Sequence, residues 1–352
     1  MKSLRTFNAH YYLNYTAIML KDLSISVLKV GRLRAGHLAC AAFFIFMTSC
    51  IKDELPIPPH DAGDLKTQTI SLTQDYHNQI FYSLSNNSVI STNSKFDWDI
   101  AFDACENGSN IYLNQARFMF VQKTNEKNIS ELNDTINFFR NRAWDASNNP
   151  DSLALGSVLN MENCFWIDRG YDINGDQIPL MRAKFEILDK QTYKVTYAEQ
   201  NQMNPTVAFI KKDSTYNRVY FSFTANKTVR VEPPKNTWDI QFTQYVHTFK
   251  DPYIPYLVTG AILNSFQTLA AVDSTLDFNK IDVKVAQGFQ LSSRADVIGY
   301  NWKVFANNVY TINLQYNYVI NDQNNFYYKM RFTGFYNDKG SKGYPKFEFQ
   351  RL

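Results

Sequence analysis

Apolar and polar residues alternate with a period of two over many short runs beyond residue 66. This alternation is typical of β-strands that turn one face to a core and the other to water. Asn, Asp and Gly separate the runs, as in 174-NG-175, and such turns join antiparallel neighbours. The pattern predicts an all-β, mostly antiparallel fold. The clearest runs are 67-TQTISLT-73, 78-NQIFYSL-84, 191-QTYKVTYA-198, 216-YNRVYFSFT-224, 309-VYTINLQYNYVI-320 and 326-FYYKMRF-332.

Two segments depart from the period of two and predict short helical insertions. Between Ser130 and Trp144, the apolar residues Leu132, Ile136 and Phe139 recur at helical spacing. A second short helix is predicted over 151-DSLALGSVL-159. The β body is therefore expected to carry small helices between its strands.

The sequence Trp-Asp-Ile occurs twice and indicates an internal repeat. It lies in 96-FDWDIAFDACENG-108 and in 237-TWDIQFTQYVHTF-249. Each copy is followed by a second strand that ends in Asn, at Asn114 and Asn264. In a strand, the Trp, the Ile and the following Phe share one face, so the Asp between them points the other way.

The two aspartates, Asp99 and Asp239, allow two interpretations. Paired carboxylates could flank a glycosidic bond as acid and base. Residues on the reverse face of repeated strands more often serve structure, in this case by accepting hydrogen bonds from neighbouring backbone N–H groups. We expect the structural role and predict no catalytic residues.

Composition and charge exclude several classes of protein. Aromatic residues make up 15 % of the chain, which argues against disorder and suits half-buried β-sheets. Residues 1–49 hold six of the 36 basic and one of the 33 acidic residues, which leaves 30 basic and 32 acidic residues in the rest. A nearly neutral body has no footprint for a polyanion, so nucleic acid is not an expected partner.

The N-terminal segment has the features of a secretory signal. Lys29, Arg32 and Arg34 precede the apolar run 38-LACAAFFIFM-47, which small residues connect to Cys50. A basic region, a short apolar region and small residues before a cleavage point describe a signal peptide. A cysteine at that point resembles the lipobox of bacterial lipoproteins, with Met where Leu is usual, so Cys50 is the expected site of lipidation. The alternative is an uncleaved anchor with an incidental cysteine.

The chain divides into three predicted parts. Residues 1–49 are a signal peptide with an N-terminal extension, residues 50–66 are the lipidated cysteine and a tether, and residues 67–352 are the β domain. Prolines in 51-IKDELPIPPHDAG-63 favour an extended tether. The Lys-Asp-Glu after Cys50 resembles the acidic signal that directs some lipoproteins to the outer face of the outer membrane, although a solvated linker would look similar. We predict an outer-membrane lipoprotein at the cell surface, attached to the membrane only through its lipid.

Two cysteines remain in the predicted β domain, Cys105 and Cys164. In an oxidising compartment this even pair could form a disulfide. Two free thiols are the alternative, and the sequence leaves both open.

Three sets of segments carry a further signal: the tail 298-IGYNWKVF-305 with 327-YYKMRFTGFYNDKGSKGYPKFEFQRL-352, the hairpin 170-GYDINGDQIPLMRAKFEIL-188 with 192-TYKVTYA-198, and the two Trp-Asp-Ile strands. Together they resemble the HmuY-like family of haem-binding lipoproteins of Gram-negative bacteria. The resemblance implies a hand-shaped β fold without enzymatic activity and a haem held between strand tips. It also implies that haem passes to a TonB-dependent outer-membrane receptor.

Haem iron in such a site takes axial ligands from His or Met. Of five histidines, His10 and His37 lie in the leader and His60 in the tether, so His77 and His247 remain as candidates. His247 lies in the aromatic segment 245-YVHTFKDPYIPY-256, at the end of a strand, and Met203 lies in the loop 199-EQNQMNPT-206. No metal is predicted beyond haem iron.

Two positions depart from the family pattern. After the Trp-Asp-Ile-x-Phe sequence, relatives often carry His, whereas Asp103 and Thr243 stand here. The first hypothesis is therefore a lipoprotein that binds haem or a related porphyrin for uptake. The alternative is an accessory lipoprotein that does not bind haem and acts as a protein or glycan interaction module.

Overall fold

β-Strands form nearly all the regular structure of the computed structural model, which describes residues 62–132, 135 and 138–352. In chain order the strands are β1 (Lys66–Thr69), β2 (Asn78–Ser83), β3 (Ser88–Ser94), β4 (Ile100–Asp103), β5 (Asn110–Leu113), β6 (Phe120–Lys123), β7 (Gly156–Ser157), β8 (Phe165–Asp168), β9 (Met181–Asp189), β10 (Thr192–Glu199) and β11 (Thr206–Lys211). They continue with β12 (Arg218–Ser222), β13 (Lys227–Val229), β14 (Ile240–Lys250), β15 (Tyr253–Leu263), β16 (Leu269–Asp273), β17 (Lys303–Ala306), β18 (Val309–Ile312), β19 (Asn317–Asn321), β20 (Tyr327–Tyr336) and β21 (Lys342–Arg351).

The larger sheets fall into two lobes of matching architecture. The first lobe contains the sheets β13-β12-β4-β5-β7 and β11-β10-β9-β8-β6. The second lobe contains β15-β14-β2-β3 and β1-β21-β20-β19-β16, and β17 pairs with β18 in a separate hairpin. The strands pair antiparallel throughout the described residues. The all-β, mostly antiparallel prediction is confirmed.

The lobes are assembled from the chain in different orders. In the first lobe, β11, β12 and β13 come after the other strands of the lobe, and they pair with β10, β4 and β12. In the second lobe the equivalent strands, β1, β2 and β3, come from the beginning of the described β domain, and they pair with β21, β14 and β2. The second lobe therefore closes only when the first and last strands of the domain meet.

The two Trp-Asp-Ile strands, β4 and β14, have corresponding positions and contacts. The N–H of Asp99 donates to the carbonyl oxygen of Phe221 at 2.9 Å, and that of Asp239 to Tyr82 at 2.9 Å. The Asn at the end of each following strand turns its side chain back on the motif. Asn114 Nδ2 donates to the Trp98 carbonyl at 2.9 Å, and Asn264 Nδ2 to the Trp238 carbonyl at 2.7 Å.

Both aspartates bind backbone N–H groups, as expected, but only one has a cationic partner. Asp99 accepts from the N–H of Phe223 at 2.8 Å and pairs with Arg117 at 2.8 Å and Arg169 at 3.0 Å. Asp239 accepts from the N–H of Leu84 at 2.7 Å.

Among the described residues, Asp239 has no ion pair with a basic side chain. Burial, with a smaller contribution from Asp322, raises its pKa from 3.8 to about 6.

Each lobe has its own apolar core, and a third cluster joins the lobes. Its centre consists of two edge-to-face aromatic pairs, Trp98 with Tyr220 and Trp238 with Phe81, each with centroids 4.8 Å apart. Both tryptophans come from the repeated motif. The motif therefore forms an interior strand in each lobe and also the contact between the lobes.

The helix predicted over 130–144 is correct in kind and wrong in extent, and its positions 133, 134, 136 and 137 lie outside the described residues. The segment predicted over 130–144 contains a 3-10 turn, Ile129–Glu131, and the helix α1, Phe138–Asn141. Beyond α1 the chain extends, and Ala143 bridges to Val121.

The second predicted helix, over 151–159, is absent. Two 3-10 turns, Pro150–Ser152 and Val158–Asn160, flank the short strand β7 instead. A further helix, α2, spans Val283–Gln287. In the described part of the chain, no helix is long and apolar enough to cross a membrane.

The predicted strand over 309–320 is two strands. β18 ends at Ile312 and β19 begins at Asn317, and between them the N–H of Asn313 donates to the Trp302 carbonyl at 2.8 Å. The apolar alternation continues across this turn, so periodicity alone could not reveal it.

Replacing Asp99 by Asn is expected to destabilise the protein strongly. The change leaves Arg117 and Arg169 buried without a counter-charge, which should lower the free energy of unfolding by about 3–5 kcal/mol. Asp239→Asn is the matched control, because an Asn oxygen can still accept from Leu84 and no cation loses its partner. We expect it to cost about 1 kcal/mol or less in denaturant titrations at neutral pH. Equal losses of unfolding free energy in the two variants would show that the ion pairs of Asp99 do not make it energetically different from Asp239.

The raised pKa of Asp239 also predicts a pH effect. With a folded pKa of about 6 against 3.8 in the unfolded chain, the folded protein binds the extra proton, so this group's contribution to stability falls as pH rises from about 4 to about 6. Asp239→Asn should lack that fall, so its stability relative to the parent should improve over this range, by at most about 3 kcal/mol. Denaturant titrations at both ends of the range measure the difference. A constant difference would contradict the assignment.

Candidate functional site

The hairpin of β14 and β15 extends well beyond its counterpart in the first lobe. β4 and β5 pair only from Ile100 to Phe102, whereas β14 pairs with β15 from Ile240 to Lys250. On its other edge, β14 pairs with β2 only as far as Phe242. The outer half of this hairpin has no equivalent in the first lobe.

A non-strand segment lies along the free edge of that outer half. The N–H of Ser147 donates to the carbonyl oxygen of Val246 at 2.7 Å, and Trp144 Nε1 donates to Thr248 Oγ1 at 2.9 Å. No pattern in the sequence connects Trp144 with this hairpin, because the contact joins residues 104 positions apart.

His247 lies opposite Tyr256 on the outer half of the hairpin. Its ring centroid is 5.1 Å from that of Phe249 and 5.0 Å from that of Tyr300. The side chain is half-buried. Strand pairing and two aromatic neighbours therefore fix the position of the imidazole at the surface of the second lobe.

A surface cleft of about 670 Å³ contains His247. Trp144 and Tyr253, whose ring centroids are 5.4 Å apart, form part of its wall. Three basic side chains, Arg142, Lys250 and Arg294, also line it. Trp144 contacts Thr248 and Tyr253 pairs with Lys250, and these two strand positions face the opposite side of β14 from His247. The cleft therefore includes both sides of the free edge of β14, and its size is within the usual range of small-molecule sites.

The cations of the cleft differ in their surroundings. Arg294 lies 3.4 Å from Asp296 and 3.9 Å from Asp151, so two acids compensate its charge. The Arg142 guanidinium lies over the Phe120 ring at 4.1 Å. Lys250 is exposed at the end of β14 and forms no ion pair with the described residues.

Desolvation lowers the pKa of His247 from its usual 6.5, while the nearby carboxylate of Asp296 opposes the shift. The shift favours the neutral imidazole. A neutral ring nitrogen has a lone pair for a metal ion, and imidazole is a common axial ligand of haem iron.

The other two predicted ligands lie away from this cleft. His77 lies just before β2, with its ring 5.4 Å from that of Phe96. Met203 lies between β10 and β11 and is 89 % exposed. Neither lines the cleft, so among the three candidates only His247 lies in it.

The two positions where relatives often carry His serve structure in this chain. Thr243 is buried and accepts from Gln79 Nε2 at 2.9 Å. Asp103 accepts from the N–H of Asn110 at 2.9 Å and from the Tyr112 hydroxyl at 2.8 Å. Asp103 thereby closes the short β4–β5 hairpin.

The disulfide considered between Cys105 and Cys164 is not formed. Cys105 is an exposed thiol after β4, and Cys164 is a buried thiol that packs with Phe120 and Trp166. The described residues also contain no cluster of three or more His, Cys, Asp or Glu side chains suited to a metal ion. Cys50 lies outside the described residues, and its lipidation stays a prediction.

The sequence comparison finds one family model that matches part of the chain. A family model described as HmuY protein matches residues 214–349, a segment that includes β12 to β20 and both strands of the long hairpin. The predicted resemblance to the HmuY-like family is confirmed over that segment. No curated protein matches the chain significantly.

Two solved structures show distant similarity to the chain. The apo HmuY analogue of Tannerella forsythia is 12 % identical, and the alignment covers 83 % of this chain and 98 % of that one with a TM-score of 0.31. Apo PinO, from Porphyromonas gingivitis, is 10 % identical, with 82 % and 97 % covered and a TM-score of 0.32. The resemblance to the HmuY-like family therefore rests on the matched segment, residues 214–349.

Replacing Asp296 by Asn should lower the pKa of His247 further, since it removes the nearby charge that favours the imidazolium. An NMR titration of the imidazole measures the shift. Asp151→Asn is the matched control, because it removes the other acid beside Arg294 and should leave the His247 titration nearly unchanged. A higher pKa in Asp296→Asn would contradict the electrostatic description of the cleft.

Proposed function

We propose that the protein is a non-enzymatic carrier that binds haem or a related porphyrin in the cleft beside β14, with His247 as an axial ligand of the iron. The observation that carries the proposal is the location of His247. It is a half-buried imidazole with a lowered pKa in a cleft that also holds aromatic rings and cations. The HmuY family match includes this hairpin.

The residues of the cleft fit the chemical parts of a haem. His247 would supply a nitrogen donor to iron. Its ring neighbours, Phe249 and Tyr300, suit a flat apolar macrocycle, and basic side chains of the cleft suit its carboxylates. Haem is cargo in this proposal, and the protein holds, orients and shields it. The lining contains one side chain of the His or Met type among the described residues.

The location and partner of the carrier follow from the same proposal. Lipidation at Cys50 would hold the β domain at the surface of the outer membrane through the tether. Release of haem to a TonB-dependent outer-membrane receptor would then complete uptake.

The alternative is an accessory lipoprotein that binds a protein or glycan. The exposed aromatic side chains at the hairpin tip, Tyr253 and Tyr256, favour that function if haem does not bind.

Haem titration of the purified protein, followed by absorbance in the oxidised and reduced states, tests the proposal. We expect saturable binding, which His247→Ala weakens about tenfold or more with a changed spectrum. His77→Ala is the matched control. It removes the other histidine of the β domain, which lies outside the cleft, and should leave binding unchanged.

Two results would change the conclusion. Saturable binding with the same spectrum in His247→Ala would keep the carrier function and move the iron ligand elsewhere, with Met203 and His77 as the next residues to replace. The absence of saturable binding at micromolar haem would exclude the carrier function and leave the interaction module.

A further inference from the structure

We infer that the domain consists of two structural repeats that exchange their first three strands, and that this exchange, rather than the loop that joins the repeats, holds the two lobes together. Repeat 1 is β1–β10, residues 66–199, and repeat 2 is β11–β21, residues 206–351. The inference concerns the scaffold, so it goes beyond the proposed function and stands whether or not haem binds.

The exchange is visible in the strand pairing. Repeat 1 supplies β1 and β2 to the second lobe, where they pair with β21 and β14 of repeat 2. Repeat 2 supplies β11 and β12 to the first lobe, where they pair with β10 and β4 of repeat 1. In each case the third strand, β3 or β13, forms a hairpin with the second. Each lobe is therefore built from both repeats, as in a domain-swapped dimer whose two copies are joined in one chain.

The chain crosses between the lobes at the same point of each repeat, before the Trp-Asp-Ile motif. A fully buried asparagine fixes each crossing. Besides the Trp carbonyl, Asn114 Nδ2 donates to the carbonyl oxygen of Lys95 at 2.8 Å, and Asn264 Nδ2 donates to that of Lys235 at 2.7 Å. Both lysines come three residues before the Trp of their motif. The crossing is thus a feature of the repeat and not of one lobe.

The exchanged strands fill the cores of the lobes that they join. In the second lobe, the ring of Tyr82 from repeat 1 lies 5.4 Å from that of Phe347. In the first lobe, the ring of Phe221 from repeat 2 lies 5.9 Å from that of Tyr197. Tyr82 and Phe221 are each 1 % exposed. Separating the repeats would pull strands out of both lobes and expose both cores to water at once, which is unfavourable.

The loop that joins the repeats has an open counterpart in the second lobe. β10 and β11 pair antiparallel, and residues 200–205 connect them. β21 and β1 pair in the same way at the equivalent edge, although they come from opposite ends of the domain. The second lobe is therefore complete without such a connection. A protease that cuts the exposed loop around Met203, a residue 89 % exposed, should leave the first lobe complete as well.

A specific protease site inserted between Met203 and Asn204 of the purified protein, with Gly-Ser on both sides, tests the inference. After complete cleavage, we expect the two fragments to elute together at the volume of the uncut protein and to unfold in one transition. The transition temperature of the cut protein should fall on dilution, because unfolding then separates two chains. The uncut insertion variant is the matched control, and its transition temperature should not depend on concentration.

The separated fragments extend the test. Each fragment, isolated in denaturant and returned to buffer alone, should not fold as a monomer, and mixing the two should restore the cooperative transition. Fragments that part under native conditions after cleavage would overturn the inference. So would a single fragment that folds alone as a monomer, since its lobe would then not need strands from the other repeat.

A circular permutant provides a second variant if the insertion itself blocks folding. It joins Leu352 to Ala62 through a short Gly-Ser linker and opens the chain between Met203 and Asn204. The linker has a short gap to span, because the N–H of Gly63 donates to the Arg351 carbonyl at 2.9 Å. We expect the permutant to fold with a transition temperature close to that of the parent. Failure of the permutant to fold would overturn the equivalence of the two edges, and the inference with it.

Discussion

Each lobe depends on a buried aspartate that connects a central strand to its neighbour. Asp99 and Asp239 accept a backbone N–H from the turn that follows the adjacent strand, at Phe223 and Leu84, and this contact adds a side-chain bond to the ladder between the two strands. A carboxylate removed from water is costly unless its oxygens are bound. In the first lobe, two arginines stabilise the carboxylate of Asp99. In the second lobe, burial raises the pKa of Asp239. The same motif thus produces two different electrostatic environments.

The candidate site lies where the two lobes cease to correspond. Both lobes contain a Trp-Asp-Ile strand and, at the end of the next strand, an Asn whose side chain binds back to that motif. Only β14 and β15 continue beyond this shared architecture. The lobe cores therefore need not be changed to alter the outer hairpin. Edge strands and loop tips tolerate such variation, which explains how binding residues could be added to a scaffold that the buried motif already fixes.

Much of the fold could be predicted from local signals, and the assembly could not. The period of two identified strands such as β2, β10 and β12 because alternation is visible within a few residues. The strands β1–β3 come early in the chain but belong to the second lobe. Their position depends on pairs such as Ile240 with Tyr82, which no local pattern specifies. The continuous helix predicted over 130–144 failed for a related reason, because pairing with β6 draws Ala143 into an extended conformation.

The site was partly predictable in the same sense. His247 could be selected because histidine is rare here and its neighbours are aromatic. Trp144 could not, since it reaches Thr248 across 104 residues of sequence. His77 and Met203 were equally plausible by residue type, and only the tertiary structure separates them from the cleft.

The pairing of the first strand, β1, with the last strand, β21, has a mechanical consequence. β1 pairs with β21 from Lys66 opposite Phe349 to Thr69 opposite Lys346, and the N–H of Gly63 donates to the Arg351 carbonyl at 2.9 Å. If Cys50 carries a lipid, any pull between the membrane and a partner on the long hairpin enters the domain at this edge. The load then reaches the pairing of β1 with β21 first, and that pairing must hold for the anchor to stay attached to the folded domain.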